Sequence, residues 1–301
     1  MNTKEISHIK HSVEFIDKWR NLLIEIYSYQ KYMEYMVVPS IFFKKTLSYL
    51  PLLNYSDRLS NDIDDLLELG KDNNYQIRVL NPDYSEFIDG DTVNMRVDIS
   101  SFDLDYISKE IFSSRKCGNQ IRKAEKNGLV SISGISDELI NDFYMLYKQN
   151  MLKHGTPMLG MSLFEKIARH VECDFVVTYS GAIPVSSVLV VYDKDIVLAL
   201  WAGVDSKYMK LCPNHSMYWK VIELGVNKKK LIFDFGRSGY NSATYLFKQQ
   251  WGAKPIKIDI IKPYEDDVYE KYTLASRLWK LLPTFASSLL GPKLCKFLDD
   301  L

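Results

Sequence analysis

Cysteine is scarce in this chain: four in 301 residues, Cys117, Cys173, Cys212 and Cys295. They stand far apart, without a CxxC pair or a zinc-type spacing, so they read as reduced thiols and not as a disulfide framework. Net charge is lacking too. Lys and Arg equal Asp and Glu at 38 each, so no overall field gathers nucleic acid, and any basic site has to be local. No apolar run approaches the roughly 18 residues of a membrane span, and the opening MNTKEISHIKHSVEF is too polar for a secretory signal. The expected location is the cytoplasm. No His/Cys/Asp cluster has ligand spacing, so no metal is expected. GxSxG, HExxH, P-loop and GxGxxG motifs are all missing, which removes the reactions those signatures carry.

What the chain does have is ordinary globular material, 47% apolar and 25% charged, with 20 Tyr, 14 Phe and 5 Trp to fill an interior. The length allows two domains, or one with an elaborated sheet. Residues 12–30 have helical periodicity, with Val13, Ile16, Leu23 and Ile26 facing a core. Residues 36–56 are apolar and broken by Pro39 and Pro51, as strands with a loop would be. A capped helix is expected from Ser60, with Ile63, Leu66 and Leu67 buried and Gly70 at its end. QIRVL at 76–80 and TVNMRVDI at 92–99 read as strands joined by a turn-rich loop.

Residues 103–128 are helical and strongly basic. Arg115, Asn119, Arg122 and Lys126 recur along one side, beside Lys123, while Gly118 is expected to weaken or bend the helix. Such a stripe is either a solvated face or an anion-binding one, suited to phosphates of a nucleotide, a lipid carrier or a tRNA end. LVSIS (129–133) is a strand, and 137–153 a helix that leads into a loop with His154, a general-base candidate. A second short helix surrounds Phe164–Val171.

Three strands follow, 174–180, 184–192 and 196–203, with turns short enough to make them antiparallel. Pro213 opens a helix with Met217, Val221 and Leu224 buried, a crossover that sets the next strand parallel to the last. PIKIDII at 255–261 alternates as a half-buried edge strand. The tail holds amphipathic pieces around Leu274–Leu282 and Phe285–Leu298, suited to docking on the core or to a membrane interface.

The stretch LIFDFGRSGYNSATYLFKQQWG (231–252) carries the most chemistry. A buried strand contains Asp234 and ends in Gly236-Arg237-Ser238-Gly239. Asn241 is placed to cap a helix that Gly252 closes, with Thr244, Lys248 and Trp251 on one face. An acid, an arginine and a lysine thus meet at the carboxyl end of a strand, where open sheets bind ligands. The alternative is a structural Asp234–Arg237 pair with Trp251 in the core.

The order helix, helix, three antiparallel strands, crossover helix, strand, helix, strand is the layout of the GNAT acyltransferase fold. The sequence resembles the FemAB-like branch of that superfamily, including its peptidoglycan-bridge-type proteins. The likeness rests on Arg122–Leu129 (RKAEKNGL), Pro213-Asn214, Asp234-Phe235-Gly236-Arg237-Ser238 and Phe247-Lys248-Gln249-Gln250-Trp251-Gly252, and covers about 115–262. It implies an α/β (α+β) fold of tandem GNAT-like domains, a mixed, mostly antiparallel sheet flanked by helices, with a helical C-terminal tail. The division would be 1–110 as a degenerate first copy, 111–265 as the acyltransferase domain and 266–301 as the tail.

The resemblance implies transfer of an acyl or aminoacyl group onto an amino group of a cell-envelope glycan or its precursor, either lipid-linked or a sugar nucleotide. Lys248 matches the family lysine that follows a phenylalanine and faces the substrate or the acyl carbonyl, where negative charge develops. Asp234 would orient the acceptor amine or take its proton, with His154 a further candidate base. Arg237 would hold a phosphate or Asp234. Arg115, Arg122, Lys123, Lys210, Asn214, Ser238, Tyr245 and Trp251 complete the candidates for binding substrate or donor. The donor is acyl-CoA or aminoacyl-tRNA. The loop Met209–His215 lacks the glycines that cradle a CoA pyrophosphate, whereas zero net charge and the lack of a coiled-coil arm give tRNA no obvious hold. Both donors stay open, as do tRNA acceptor-end contact and peripheral contact with the inner membrane face through 266–301. The alternatives are an acyl-CoA-dependent N-acetyltransferase acting on a soluble nucleotide sugar and a non-catalytic glycan- or lipid-carrier-binding module.

Overall fold

A computed structural model describes residues 1, 3–32, 35–39, 45–55, 74–101, 103–113, 115–262, 279, 282 and 284–297. Among them the strands are β1 (Gln30–Tyr32), β2 (Tyr35–Pro39), β3 (Lys45–Ser48), β4 (Asn74–Asn81), β5 (Thr92–Asp98), β6 (Leu129–Gly134), β7 (Cys173–Ser180), β8 (Ile183–Tyr192), β9 (Ile196–Val204), β10 (Ile232–Gly239) and β11 (Lys254–Ile261). The helices are α1 (Thr3–Ser7), α2 (Val13–Tyr27), α3 (Leu104–Ser113), α4 (Arg115–Lys126), α5 (Asp137–His154), α6 (Met161–His170), α7 (Pro213–Asn227), α8 (Ala243–Gln249) and α9 (Thr284–Cys295).

The strands join in one sheet, ordered β1-β2-β3-β4-β11-β5-β10-β9-β8-β7-β6. β3–β4 and β9–β10 are parallel and the other neighbours antiparallel. The expected crossover through α7 is what sets β9 and β10 parallel. Strand alternation sends the two faces to separate cores. On one face Phe143, Phe164, Phe175, Leu198 and Ile232 pack with Trp19 and Leu23 of α2. On the other, Val93, Met95, Val97, Phe233 and Phe235 pack with Ile121 of α4, Val221 of α7 and Trp251. The sheet is therefore covered on both sides, and its middle strands carry both apolar and polar residues into the interior.

Helix α5 lies unusually close to β9. A Cβ on Gly203 would stand 2.5 Å from the Leu146 carbonyl, so only glycine lets the two backbones approach this far. Asn150 of α5 fastens the same place by donating to the Ala202 carbonyl, 3.1 Å.

Several sequence expectations need correction. PIKIDII alternates, with Ile256 and Ile258 buried and Ile260 exposed, but it is no edge: β11 sits between β4 and β5. A half-buried pattern reports one covered face and says nothing about which strands lie alongside. In α2, Val13 is 73% exposed, and the buried stripe is Phe15, Ile16, Trp19, Leu22 and Leu23. His154 is the last residue of α5, not part of the loop. The cap of α8 is Ser242, which accepts from the Tyr245 amide; Asn241 has φ +59° and donates to Asp89. Thr244 is exposed, and the buried side of α8 is Tyr245 and Lys248. The helix expected over 59–73, with Ser60 as its cap and Gly70 at its end, lies outside the described residues, as does the first tail piece, Leu274–Leu282, except for Trp279 and Leu282. The second tail piece is α9, with Cys295 in the core and Leu289 and Leu290 exposed.

Candidate active site

The interior of the sheet holds a fully buried ion pair. Asp234 of β10 faces Arg96 of β5 across the antiparallel ladder, and Arg96 Nε donates to Asp234 Oδ2 at 2.8 Å. Tyr55 Oη (3.1 Å) and Asn94 Nδ2 (2.7 Å) donate to the same oxygen, and the Gly236 amide donates to Oδ1 at 2.8 Å. The guanidinium spends its other donors on the carbonyls of Ile6 and Ile9, both 2.9 Å, and on the Tyr55 hydroxyl, 2.5 Å. Burial works against the charge on Arg96, yet Tyr55 and Asp234 outweigh it and hold its pKa above the usual value. An ion pair with no solvent access persists only when its hydrogen bonds are filled in this way.

Just beyond Asp234 the sheet opens. The β9–β10 pairing runs from Ile232↔Ile196 to Asp234↔Leu198 and stops, although β9 continues to Val204 and β10 to Gly239. Both strands are irregular at that point. β10 shifts register against β5 between Asp234 and Arg237. β9 shifts against β8, where Leu189↔Trp201 and Val190↔Ala199 leave Leu200 as the extra residue. Bulges bend strands and take a backbone group out of the ladder, which is why they recur beside active sites. Gly236 adopts φ +77°, and a Cβ there would stand 2.8 Å from Asn54 Nδ2 and 3.4 Å from the Ala199 carbonyl. The left-handed conformation and the crowding both require glycine.

Lys248 closes the floor of this opening. Its Nζ donates to the carbonyls of Gly236 (3.0 Å) and Arg237 (2.7 Å). Desolvation lowers its pKa to about 8, against the pull of Asp234 and with the push of Arg237. Two of its three donors are thus engaged on the β10 bend. Ser238 is buried and donates to the Arg237 carbonyl, 2.9 Å.

A second group forms at the start of α7. No side chain caps this helix, whose N-cap Cys212 has φ +65°. The Cys212 thiol donates to Gln120 Oε1 of α4 at 2.5 Å, fastening the basic helix against the free amides. Burial pushes the thiol pKa up and nearby Lys123 pulls it back. Arg122, Lys123 and Lys126 on α4, and Lys210 before α7, are exposed. Fixed cations beside free helix amides make an anion-binding surface. His215, in the first turn of α7, packs against Phe247 (5.1 Å) and Trp251 (5.8 Å), which bracket Lys248 in sequence.

The structure therefore brings together Asp234, Arg237, Ser238 and Lys248 at one place, and Lys123, Lys210 and Asn214 at another. Arg115 is the first residue of α4. Tyr245 is buried against Tyr240 with its pKa raised by burial, and Trp251 is fully buried. His154 is exposed, one turn past Asn150 on the side of β9. Tyr55, Asn94 and Arg96 went unrecognised in the sequence. The available signal was a charged residue inside TVNMRVDI, alternating with Met95 and Val97. A charge at a core position of a strand demands a partner.

Residues 113–249 match a family model described as "Acetyltransferase (GNAT) domain". No curated protein matches the chain. Among solved structures, FemX is 14% identical with a TM-score of 0.59, over 92% of this chain and 98% of FemX. The C-terminal domain of a protein assigned as a lysylphosphatidylglycerol synthetase from Agrobacterium fabrum is 10% identical with a TM-score of 0.58, over 92% and 95%. L-PGS from Bacillus licheniformis is 11% identical with a TM-score of 0.53, over 88% and 97%. The chain has a FemAB-like GNAT fold, and its GNAT domain is that of an acyltransferase.

Proposed function

With an acyltransferase domain over residues 113–249 as the premise, we propose that the protein moves an acyl or aminoacyl group onto an amino group of a cell-envelope glycan or its lipid-linked or nucleotide-linked precursor. The observation that carries this reading is the parting of β9 and β10 beyond Asp234, with a bulge on each strand. Backbone groups of parted strands lack ladder partners and can pair with an extended donor arm. The bulged Leu200 supplies an amide for the acyl oxygen, where negative charge gathers as the amine attacks. The third donor of Lys248 serves the same oxygen or the substrate.

The amine nitrogen forms a bond to the carbonyl carbon, the bond to the donor oxygen or sulfur breaks, and the amine's proton passes to the leaving group or to water. Asp234 has its oxygens engaged by four donors, which supports its orienting role over proton acceptance. Arg237 and the Lys123–Lys210 surface would bind donor phosphates. The envelope acceptor draws on one structural neighbour, whose assigned name couples lysine to a membrane lipid. In the same reading residues 1–110 and 111–265 are two GNAT-like units, interleaved where β11 of the second enters between β4 and β5 of the first.

The test is donor binding by thermal shift with acetyl-CoA and, separately, with a charged aminoacyl-tRNA. A ligand specific for the native state adds about 2.7 kcal/mol at a hundredfold excess over its Kd. A shift with one donor names it, and no shift with either refutes the reading.

A further inference from the structure

The two outer strands of the sheet differ in how they are protected. An edge strand turns unpaired N–H and C=O groups outward, and proteins blunt such edges by shortening the strand, charging it, inserting proline or bending it with a bulge. β1 is blunted in this way: three residues, all exposed, with Lys31 in the middle. β6, at the other end of the strand order, carries none of these devices. Its 6 residues, LVSISG, include no charge and no proline, and they pair with β7 from Leu129↔Ser180 to Gly134↔Phe175 without a register shift. Every second residue of β6 therefore points its backbone groups away from the sheet.

The strand is fastened on one face and bare on the other. Toward α7, Leu129 is buried, and the Ser131 hydroxyl lies 2.8 Å from those of Thr178 and Ser216. On the opposite face α5 packs across β9, β8 and β7. There Val130 and Ile132, beside Tyr179 and Val177, stay 58% and 49% exposed, with Ile135 just past the strand at 54%. The two ends of β6 are oppositely charged. Arg122, Lys123 and Lys126 outnumber Glu125 at the end of α4, which leads into the strand, and Asp137 and Glu138 open α5, which follows it; all of them are exposed. Lys126 and Glu138 each stand 6 residues from Ile132. Antiparallel pairing about a two-fold axis at Ile132 therefore gathers Val130 and Ile132 of both copies on one face and sets the basic end of each copy beside the acidic end of the other. We infer that β6 is the interface for a second copy of this chain, continuing the sheet from one molecule into the next. Among the described residues it is the one unprotected edge, so the pairing closes at two. A single short strand buries less than the roughly 1,600 Å² of a standard interface, which makes the dimer weak and reversible.

The experiment is analytical ultracentrifugation of the full chain from about 1 to 100 µM, a range that spans weak interfaces, and it should show monomer passing into dimer. Ile132→Lys sets like charges opposite each other at the axis and weakens the dimer about tenfold, with far-UV circular dichroism unchanged because the side chain is exposed. Ile88→Lys puts the same charge on an exposed position between β4 and β5 and leaves the dimer as it is. Lys126→Glu and Glu138→Lys each place like charges at both ends of the interface and weaken self-association about fivefold. Mixed in equal amounts, these two variants meet with opposite charges at both ends, and the mixed dimer regains the parent's affinity. A chain that stays monomeric throughout overturns the proposal. So does a dimer that survives Ile132→Lys, one that Ile88→Lys weakens as much, or a mixture no tighter than either variant alone. Mass is read without donor or acceptor, so failure here leaves the proposed reaction standing, and failure of the donor test leaves this interface standing.

Discussion

Replacing Arg96 with Met tests the view that the buried pair organises the centre of the protein. The substitution keeps an unbranched side chain of similar reach but removes four contacts: Asp234 Oδ2, the Tyr55 hydroxyl and the carbonyls of Ile6 and Ile9. Removing one partner of a buried ion pair costs about 3–5 kcal/mol, because a charge is left without compensation. Asp234 keeps three donors, Tyr55, Asn94 and the Gly236 amide, which places the expected loss near the lower end, about 3 kcal/mol. With an m-value on the order of 3 kcal/mol/M, the urea midpoint falls by roughly 1 M, read by far-UV circular dichroism at pH 7. The double variant Arg96→Met/Asp234→Asn removes the stranded charge and should recover about 1–2 kcal/mol of that loss. A midpoint shift under about 0.3 M in the single variant, or a double variant less stable than the single, would refute the reasoning.

Other outcomes follow from the same geometry. Lys248 has a folded pKa near 8 against an ordinary 10.5, so between those values the unfolded chain binds more protons and stability rises with pH, by on the order of 3 kcal/mol in all. In Lys248→Met that slope between pH 8 and 10.5 disappears from denaturation curves, and acyl transfer falls at every pH. Gly236→Ala forces a side chain into the left-handed region and toward Asn54, so it should cost about 1–2 kcal/mol in a melting experiment and reduce turnover more than donor affinity. Gly203→Ala meets helix backbone that cannot step aside, and we expect soluble expression to collapse. Neutralising Arg122, Lys123 and Lys126 together should weaken donor binding and flatten its dependence on salt, measured between about 50 and 200 mM. Vesicle flotation of the double variant Leu289→Gln/Leu290→Gln against the parent chain tests membrane contact by the tail, which loses its support if the parent stays in the unbound fraction or if the two proteins float alike.

Much of the architecture was legible because it is local. The hairpins β7–β8 and β8–β9 follow from short turns between apolar runs, and the parallel β10 follows from the length of the crossover through α7. The strand ending in DFGRS and the following helix with its lysine were readable for the same reason. Neighbours distant in sequence were not. Nothing in PIKIDII announces that β4 and β5 take its two edges, since alternation encodes faces and leaves edges unspecified.

By itself, then, the sequence determined the α/β alternation, the buried position of Asp234 and the placing of Lys248 two turns past the strand end. Only the tertiary structure decided which charges meet. Arg237 stands three residues from Asp234, yet strand geometry sends neighbouring side chains to opposite faces and the bulge redirects the chain. The partner of Asp234 is instead Arg96, 138 residues away, set opposite by the β5–β10 register. The two fully buried charges of these core strands are readable one at a time, and their pairing is a property of the folded sheet.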